Sequence, residues 1–302
     1  MSKLSTWLDA ARLRTLPLSV SGVITGTALA NFQSYSDKRI FFLALLTTIS
    51  FQVTSNFAND YGDGVKGTDN EGRIGPKRVL QSGMLTRNEL KTGIIISIVI
   101  SLLLVLLVLY VAFGTEYLEY FLLFTVLGLV SIWAAVRYTI GDSAYGYHGL
   151  GDLSVFLFFG LLAVVGTMFL YTKEWVWWSF LPAAVIGLLS TGVLNLNNLR
   201  DFENDQKVGK NTLVVKMGFR KGKRYHVFLL LTAFGCLMVF ILLKAAFWYH
   251  FLPILAFVPI LLHLLKVWHT KEPIKLDPEL KKLALSTFLL AMLFYITYNN
   301  FL

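Results

Sequence analysis

Nine apolar stretches alternate with polar, charged connections along the 302 residues. They cover residues 17–33, 40–58, 92–113, 118–138, 153–172, 176–196, 227–243, 246–268 and 283–302. Each is close to the roughly 20 mostly apolar residues that a helix needs to cross a bilayer. The pattern predicts an all-α polytopic membrane protein, with about nine transmembrane helices in a single bundle and one domain over residues 1–302. Polar connections follow the second, fourth, sixth and eighth stretches. Those over about 56–91 and 195–224 are rich in Asp.

Positive charge sorts these connections. Of the 27 Lys and Arg residues, all but Lys38, Arg39, Lys173 and Lys244 lie in the N-terminal segment or the even connections. Basic loops stay in the cytoplasm, so the N-terminus and the Asp-rich loops are expected there and the C-terminus outside. Residues 2–14 are expected to lie along the interface, with Leu4, Trp7, Leu8 and Ala11 on one helical face and Arg12 and Arg14 near the lipid surface. Ala28-Leu29-Ala30 has the form of a signal-peptide cleavage site. The Pro17, Ser19, Ser21, Gly22 and Thr25 that precede it make a retained first span the better expectation. Trp175, Trp177 and Trp178 read as an interfacial belt.

Composition narrows the function. Hydrophobic residues make up 56% of the chain, charged residues 15%, and mean hydropathy is +0.63; soluble domains carry about a quarter charged residues. A net charge of +9 on such a chain fits an anionic membrane surface or a phosphorylated substrate, and nucleic acid is not expected as a partner. Cys236 is the one cysteine and reads as an apolar filler. His226, His250, His263 and His269 fall at the edges of apolar stretches and are expected at the interface.

Carboxylates at the ends of membrane spans are costly unless paired or metal-bound. Two clusters stand out. NFANDYGDGVKGTDNEGRIGPKRVLQSG carries Asn56, Asn59, Asp60, Asp63 and Asp69 ahead of Arg73, Lys77 and Arg78. NLNNLRDFENDQKVGKNTL carries Asn195, Asn197, Asn198, Asp201 and Asp205 ahead of Lys207 and Lys210. If the helices run past the lipid by a turn or two, Asn56, Asp60 and Asp63 share a face, as do Asn198, Asp201 and Asp205. The two loops therefore read as copies of one device. Magnesium takes oxygen ligands, usually one or two carboxylates plus substrate phosphates, and neighbouring Lys and Arg neutralise the remaining phosphate charge. Carboxylates and cations together point to a metal-bridged diphosphate. A third polar stretch, RYTIGDSAYGYHGLGD, is expected to fold tightly because of its glycines.

These motifs resemble those of the UbiA superfamily of intramembrane prenyltransferases, over nearly the whole chain. NDYGDGVKGTDNEGRIGPKRVLQSG, GYHGLGDLSVFLFFG and NNLRDFENDQKVGKNTL resemble its branch that prenylates 1,4-dihydroxy-2-naphthoate in menaquinone synthesis. The first family motif, NDxxDxxxD, is matched by Asn59, Asp60 and Asp63, with Gly67 in place of the last Asp. The second, DxxDxxxD, is matched by Asp201 and Asp205, with Asn198 in place of its first Asp.

The resemblance implies Mg2+ held by Asp60, Asp63, Asp201 and Asp205, with Asp69 left open. It implies a polyprenyl diphosphate bound by Asn56, Asn59, Asn198, Arg73, Lys77, Arg78, Lys207 and Lys210. Tyr138, His148 and Asp152 are the candidates for holding the aromatic acceptor. The implied reaction makes demethylmenaquinone with loss of CO2 and diphosphate, at the cytoplasmic face of a bacterial inner membrane. The alternatives are another aromatic acceptor of the 4-hydroxybenzoate type, or a cation-coupled transporter.

Overall fold

The structure is a computed structural model that describes residues 2–68, 70, 74, 75 and 78–299. Its membrane helices are α2 (Leu16–Phe32), α3 (Lys38–Lys66), α4 (Arg87–Phe113), α5 (Leu118–Arg137), α6 (Gly151–Thr172), α7 (Phe180–Arg200), α10 (Phe219–Lys244), α11 (Trp248–His269) and α12 (Asp277–Thr297). Short helices α1 (Lys3–Ala11), α8 (Phe202–Lys207) and α9 (Leu213–Met217) sit at one end. There is no strand among the described residues. Eight of these regions are long and apolar enough to cross a membrane. The 17-residue α2 adds a ninth, about 26 Å long at 1.5 Å per residue.

Small residues let α2 sit inside the bundle. Ser19, Ser21, Gly22, Thr25, Gly26 and Thr27 are all buried. Ser21 and Thr25 donate to the carbonyls of Pro17 and Ser21, at 2.8 and 2.9 Å, so their hydroxyls need no outside partner. A Cβ on Gly22 would lie 2.5 Å from Ala163 Cβ, and one on Gly26 would lie 2.4 Å from the Val164 carbonyl oxygen. Close approach of α2 to α6 thus depends on both glycines. The middle of α6, Phe156–Gly166, winds as a π-helix. There Gly160 meets Gly187 of α7, and a Cβ would lie 2.6 Å from that Cα.

Two smaller apolar clusters hold the polar connections to the bundle. Ala10, Ala11, Phe57, Val79, Leu85, Leu90 and Ile94 bring α1 and the connection after α3 together. Leu196, Leu199, Val214, Val267 and Leu276 do the same for the connection after α7. Trp7 packs edge-on against Phe57, with ring centroids 5.3 Å apart, above Gly93 of α4. The face expected for α1 is therefore divided. Trp7 and Ala11 turn to the protein beside Thr6 and Ala10, whereas Leu4 and Leu8 are exposed.

The histidines correct the sequence reading. His226, His250 and His263 are buried rather than interfacial, because each finds a polar partner inside; His269 alone of the four is exposed. Trp175 and Trp177 are exposed. Trp178 instead packs on Phe32 and Phe240.

Candidate active site

α3 continues as one helix through Lys66, so Asp60 and Asp63 stand three residues apart on its last turns. Gly67 ends it at φ +71, a left-handed conformation that a residue with a Cβ adopts at a cost. This gives a physical reason for Gly in place of the motif's third Asp: the helix stops there.

Asp60 is 1% exposed and meets two arginines. One is Arg12, whose Nη2 donates to Asp60 Oδ1. The other is Arg78, with Nε 3.6 Å from the same oxygen. Arg12 does not face lipid, as the sequence reading expects. It caps α1 at φ 51, outside the region that residues with a Cβ prefer, and that turn aims its guanidinium at α3. Asn56 fixes the turn. Its Nδ2 donates to the Ala11 carbonyl at 2.8 Å and to Thr15 Oγ1 at 3.4 Å. Asn56 thus places a cation. Asn59 accepts from Thr139 Oγ1 at 3.2 Å and ties α3 to the chain after α5.

Tyr147 joins three of the four polar connections. Its hydroxyl donates to Asp63 Oδ1 at 2.7 Å and pairs with Thr68 Oγ1. Its carbonyl accepts from the Asn211 N–H at 3.1 Å. Lys66 and Lys210 place their ammonium groups 4.1 and 5.2 Å from its ring centroid, within cation–π range. Lys210 Nζ also lies 3.8 Å from Asp63 Oδ2. Asn204 Nδ2 closes the mouth by donating to the Thr68 carbonyl at 3.3 Å.

The second cluster is built around a break. α7 ends at Arg200 and α8 starts at Phe202, with Asp201 between them at φ −90 and ψ 7. Arg200 grips its neighbour with Nε 2.9 Å from Asp201 Oδ1 and Nη2 2.6 Å from Oδ2. The same guanidinium donates to Asp277 at 2.7 Å and to Asn197 at 2.8 Å. Asp205 is buried one turn on. Asn198 is 5% exposed and makes no side-chain hydrogen bond among the described residues. Lys207 is exposed.

The third connection places its candidates apart. Tyr138 lies against Gly151, where a Cβ would be 2.7 Å from its hydroxyl oxygen. Asp152 is buried beside it, and its carbonyl accepts from Thr191 Oγ1 at 3.4 Å. His148 is exposed and is held by its carbonyl, which accepts from Lys216 Nζ at 2.6 Å. Tyr145 donates to the Ala134 carbonyl at 2.8 Å, and burial pushes its phenol up from the ordinary value, so it stays a donor. Asp69, Arg73 and Lys77 lie outside the described residues.

Sequence reasoning missed Arg12, Tyr147 and Arg200. The signal for Arg200 was adjacency to Asp201. Arg12 was counted only toward topology, and Tyr147 carried no motif of its own.

Oxygen donors from Asp60, Asp63 and Asp205 suit a hard divalent cation. Among the described residues no three His, Cys, Asp or Glu side chains form a metal cage. Mg2+ keeps waters and takes phosphate oxygens, so one or two carboxylates suffice to hold it.

The UbiA prenyltransferase family matches residues 19–286. The 1,4-dihydroxy-2-naphthoate octaprenyltransferase of Haemophilus influenzae is 44% identical over 97% of this chain and 95% of its own length. The enzyme of that name in Escherichia coli is 42% identical over the same shares. A UbiA homologue from Archaeoglobus fulgidus, solved bound to GPP and Mg2+, shares the fold with a TM-score of 0.66 at 13% identity, over 97% of this chain and 99% of that one.

Proposed function

The chain belongs to the UbiA prenyltransferase family and is a membrane-embedded prenyltransferase, and on that premise we propose that it transfers a polyprenyl group from polyprenyl diphosphate to 1,4-dihydroxy-2-naphthoate. Residues 1–302 act as one unit. The product is demethylmenaquinol, the 1,4-dihydroxy form that becomes demethylmenaquinone only by a separate two-electron oxidation, and the reaction releases CO2 and diphosphate. The mouth faces the cytoplasm of a bacterial inner membrane, in accord with the basic even connections and the bacterial relatives. The observation that carries this reading is the meeting of three distant connections around Asp63, through Tyr147 and Lys210.

Asp60, Asp63 and Asp205 would hold Mg2+, with Asp201 at the same mouth held by Arg200. When bound, the ion supplies Lewis-acid stabilisation of the charge that builds on the leaving diphosphate. The chain's own residues do the rest. Arg12, Arg78 and Lys210 pair with carboxylates across the mouth and can turn toward phosphate oxygens, which offer them more negative charge. They stabilise diphosphate as the allylic carbon–oxygen bond breaks.

The connections close over the bundle and keep water from the allylic cation. The ring carbon bearing the carboxylate attacks it. The new carbon–carbon bond forms, the carboxylate carbon–carbon bond breaks, and CO2 leaves with no net proton released. Tyr138 and Asp152 orient the acceptor. The exposed ring of His148 gives it a weaker claim to that role.

Purified protein with a polyprenyl diphosphate and the naphthoate, with and without Mg2+, tests the reading by following prenylated product and CO2. Product and CO2 that both require Mg2+ are expected. Product with a 4-hydroxybenzoate-type acceptor alone would keep the chemistry and discard this acceptor.

A further inference from the structure

The connection between α11 and α12 forms a cavity of about 390 Å3, none of whose lining residues belongs to the site described above. Leu265, Lys266, His269, Lys271, Glu272 and Lys275 line it. Lys275 Nζ lies 2.7 Å from Glu272 Oε1, on two exposed side chains, and exposed pairs of this kind hold each other weakly. Lys266 Nζ lies 3.0 Å from Glu279 Oε1, with Lys282 Nζ 2.7 Å from the same oxygen. Around the cavity the ammonium groups of Lys266, Lys271, Lys275 and Lys282 therefore stand against only two carboxylates, Glu272 and Glu279.

The C-terminal end of a helix ordinarily repels an anion, because its last carbonyls carry partial negative charge. At the end of α11 those carbonyls are already answered. Lys223 crosses from α10, and its Nζ donates to the Trp268 and Thr270 carbonyls at 2.9 and 2.8 Å. His269 Nδ1 donates to the Leu265 carbonyl at 2.7 Å. Lys266 is anchored from the interior. Glu279 is fully buried, its Oε2 lies 2.9 Å from His263 Nδ1, and His263 Nε2 lies 2.9 Å from His226 Nε2. An ammonium has three hydrogens, so Lys266 can keep Glu279 and still donate to an anion in the cavity.

The surroundings of the cavity are those of a lipid headgroup. Trp268 beside it is exposed, and exposed Trp marks the membrane–water interface. Deeper in the membrane α11 shows two faces. Phe257, Ile260, His263, Leu264 and Val267 are buried, whereas Val258, Leu261, Leu262 and Leu265 are exposed at spacings that place them on one helical face. Leu265 belongs both to that stripe and to the cavity lining. A free anion would use the cavity alone; an anionic amphiphile would use the cavity and the stripe together.

We propose that the cavity between α11 and α12 is a binding site for an anionic phospholipid. Its headgroup phosphate is held by Lys266, Lys271 and Lys275, and an acyl chain lies along Val258, Leu261, Leu262 and Leu265. Basic pockets between membrane helices suit anionic headgroups in this way, and a zwitterionic headgroup offers no net charge to the excess of ammonium groups.

The test uses the full-length enzyme in detergent, freed of co-purified lipid and titrated with phosphatidylglycerol, phosphatidylcholine or sodium phosphate. Native mass spectrometry counts bound lipid, and the thermal midpoint is followed in parallel. The wild type is expected to take up one phosphatidylglycerol well below the concentration at which it takes up phosphatidylcholine. The double variant Lys271→Gln/Lys275→Gln should bind phosphatidylglycerol about 30-fold more weakly, at about 1 kcal/mol for each Lys. Lys271→Glu alone changes an exposed side chain and should weaken binding in the same direction, a second route should the double variant fail to fold. Lys38→Gln, at the opposite end of the bundle, should keep the wild-type affinity. Equal uptake of the two lipids by the wild type overturns the proposal, as does an equal loss in Lys38→Gln. A midpoint raised by sodium phosphate but not by phosphatidylglycerol overturns the lipid as occupant and leaves a free-anion site in its place.

Discussion

The first acidic cluster stands on one unbroken helix and borrows its cations from far along the chain, whereas the second straddles a helix break and is gripped by its own neighbour. Asp60 meets Arg12 and Arg78, and Asp63 meets Tyr147 and Lys210. Asp201 meets Arg200, which Asp277 and Asn197 hold from behind. The consequence is a division of labour. Side chains reaching in from separate connections are free to turn to a phosphate where a bound cation takes their place beside the buried Asp60. A buried guanidinium fixed on three sides cannot leave Asp201 without stranding a charge. Two motifs that look like copies in sequence thus become an exchangeable site and an anchored one.

Breaking each carboxylate in turn tests this contrast. Asp63→Asn should lower kcat about 100- to 1000-fold, the scale of removing one preorganised electrostatic group, while the thermal midpoint in detergent stays near that of the wild type. Retained turnover would sink the metal-diphosphate reading. Asp201→Asn takes from buried Arg200 one of its two carboxylate partners and leaves Asp277; breaking a buried pair outright costs about 3–5 kcal/mol, which sets the upper limit here. The substitution should lower the thermal midpoint clearly, as Asp63→Asn does not. Equal midpoints in the two variants would erase the distinction between exchangeable and anchored.

Smaller effects sharpen the picture. Arg12→Gln should raise KM for polyprenyl diphosphate by about tenfold or more, since hydrogen bonds to charged groups contribute about 1.5–3 kcal/mol, and leave KM for the acceptor unchanged. An effect on acceptor KM alone would move Arg12 to the other substrate. Tyr147→Phe keeps the ring beneath Lys66 and Lys210 and removes only the hydroxyl bound to Asp63. Turnover should fall about tenfold, the low end of the range for a hydrogen bond to a charged group; a loss beyond about 100-fold would mean that the hydroxyl touches the reacting groups.

Much of the architecture was legible because membrane spans announce themselves locally. A helix satisfies its own backbone in lipid and needs a run of apolar residues, so the spans follow from composition. Only the 17-residue α2 is marginal by length, and its buried Ser, Gly and Thr residues explain its lower apolarity. Asp60, Asp63, Asp201 and Asp205 were legible by clustering and spacing. The burial of His226 and His263 was not, because each sits near a span end and its partner lies on another helix. Arg12 was misread for the same reason: a basic residue beside an amphipathic helix has the same local sequence whether it faces lipid or a carboxylate.

The sequence by itself determined how many times the chain crosses the membrane, which connections carry the carboxylates and cations, and that these fall in the connections joined at one end. Those features depend on neighbours a few residues apart. Tertiary structure alone decided which cation meets which carboxylate. Arg12 and Asp60 are separated by 48 residues, and Tyr147 and Asp63 by 84. No periodicity links positions so far apart; only the packing of α1 on α3, and the folding of three connections over one mouth, brings them within hydrogen-bond reach.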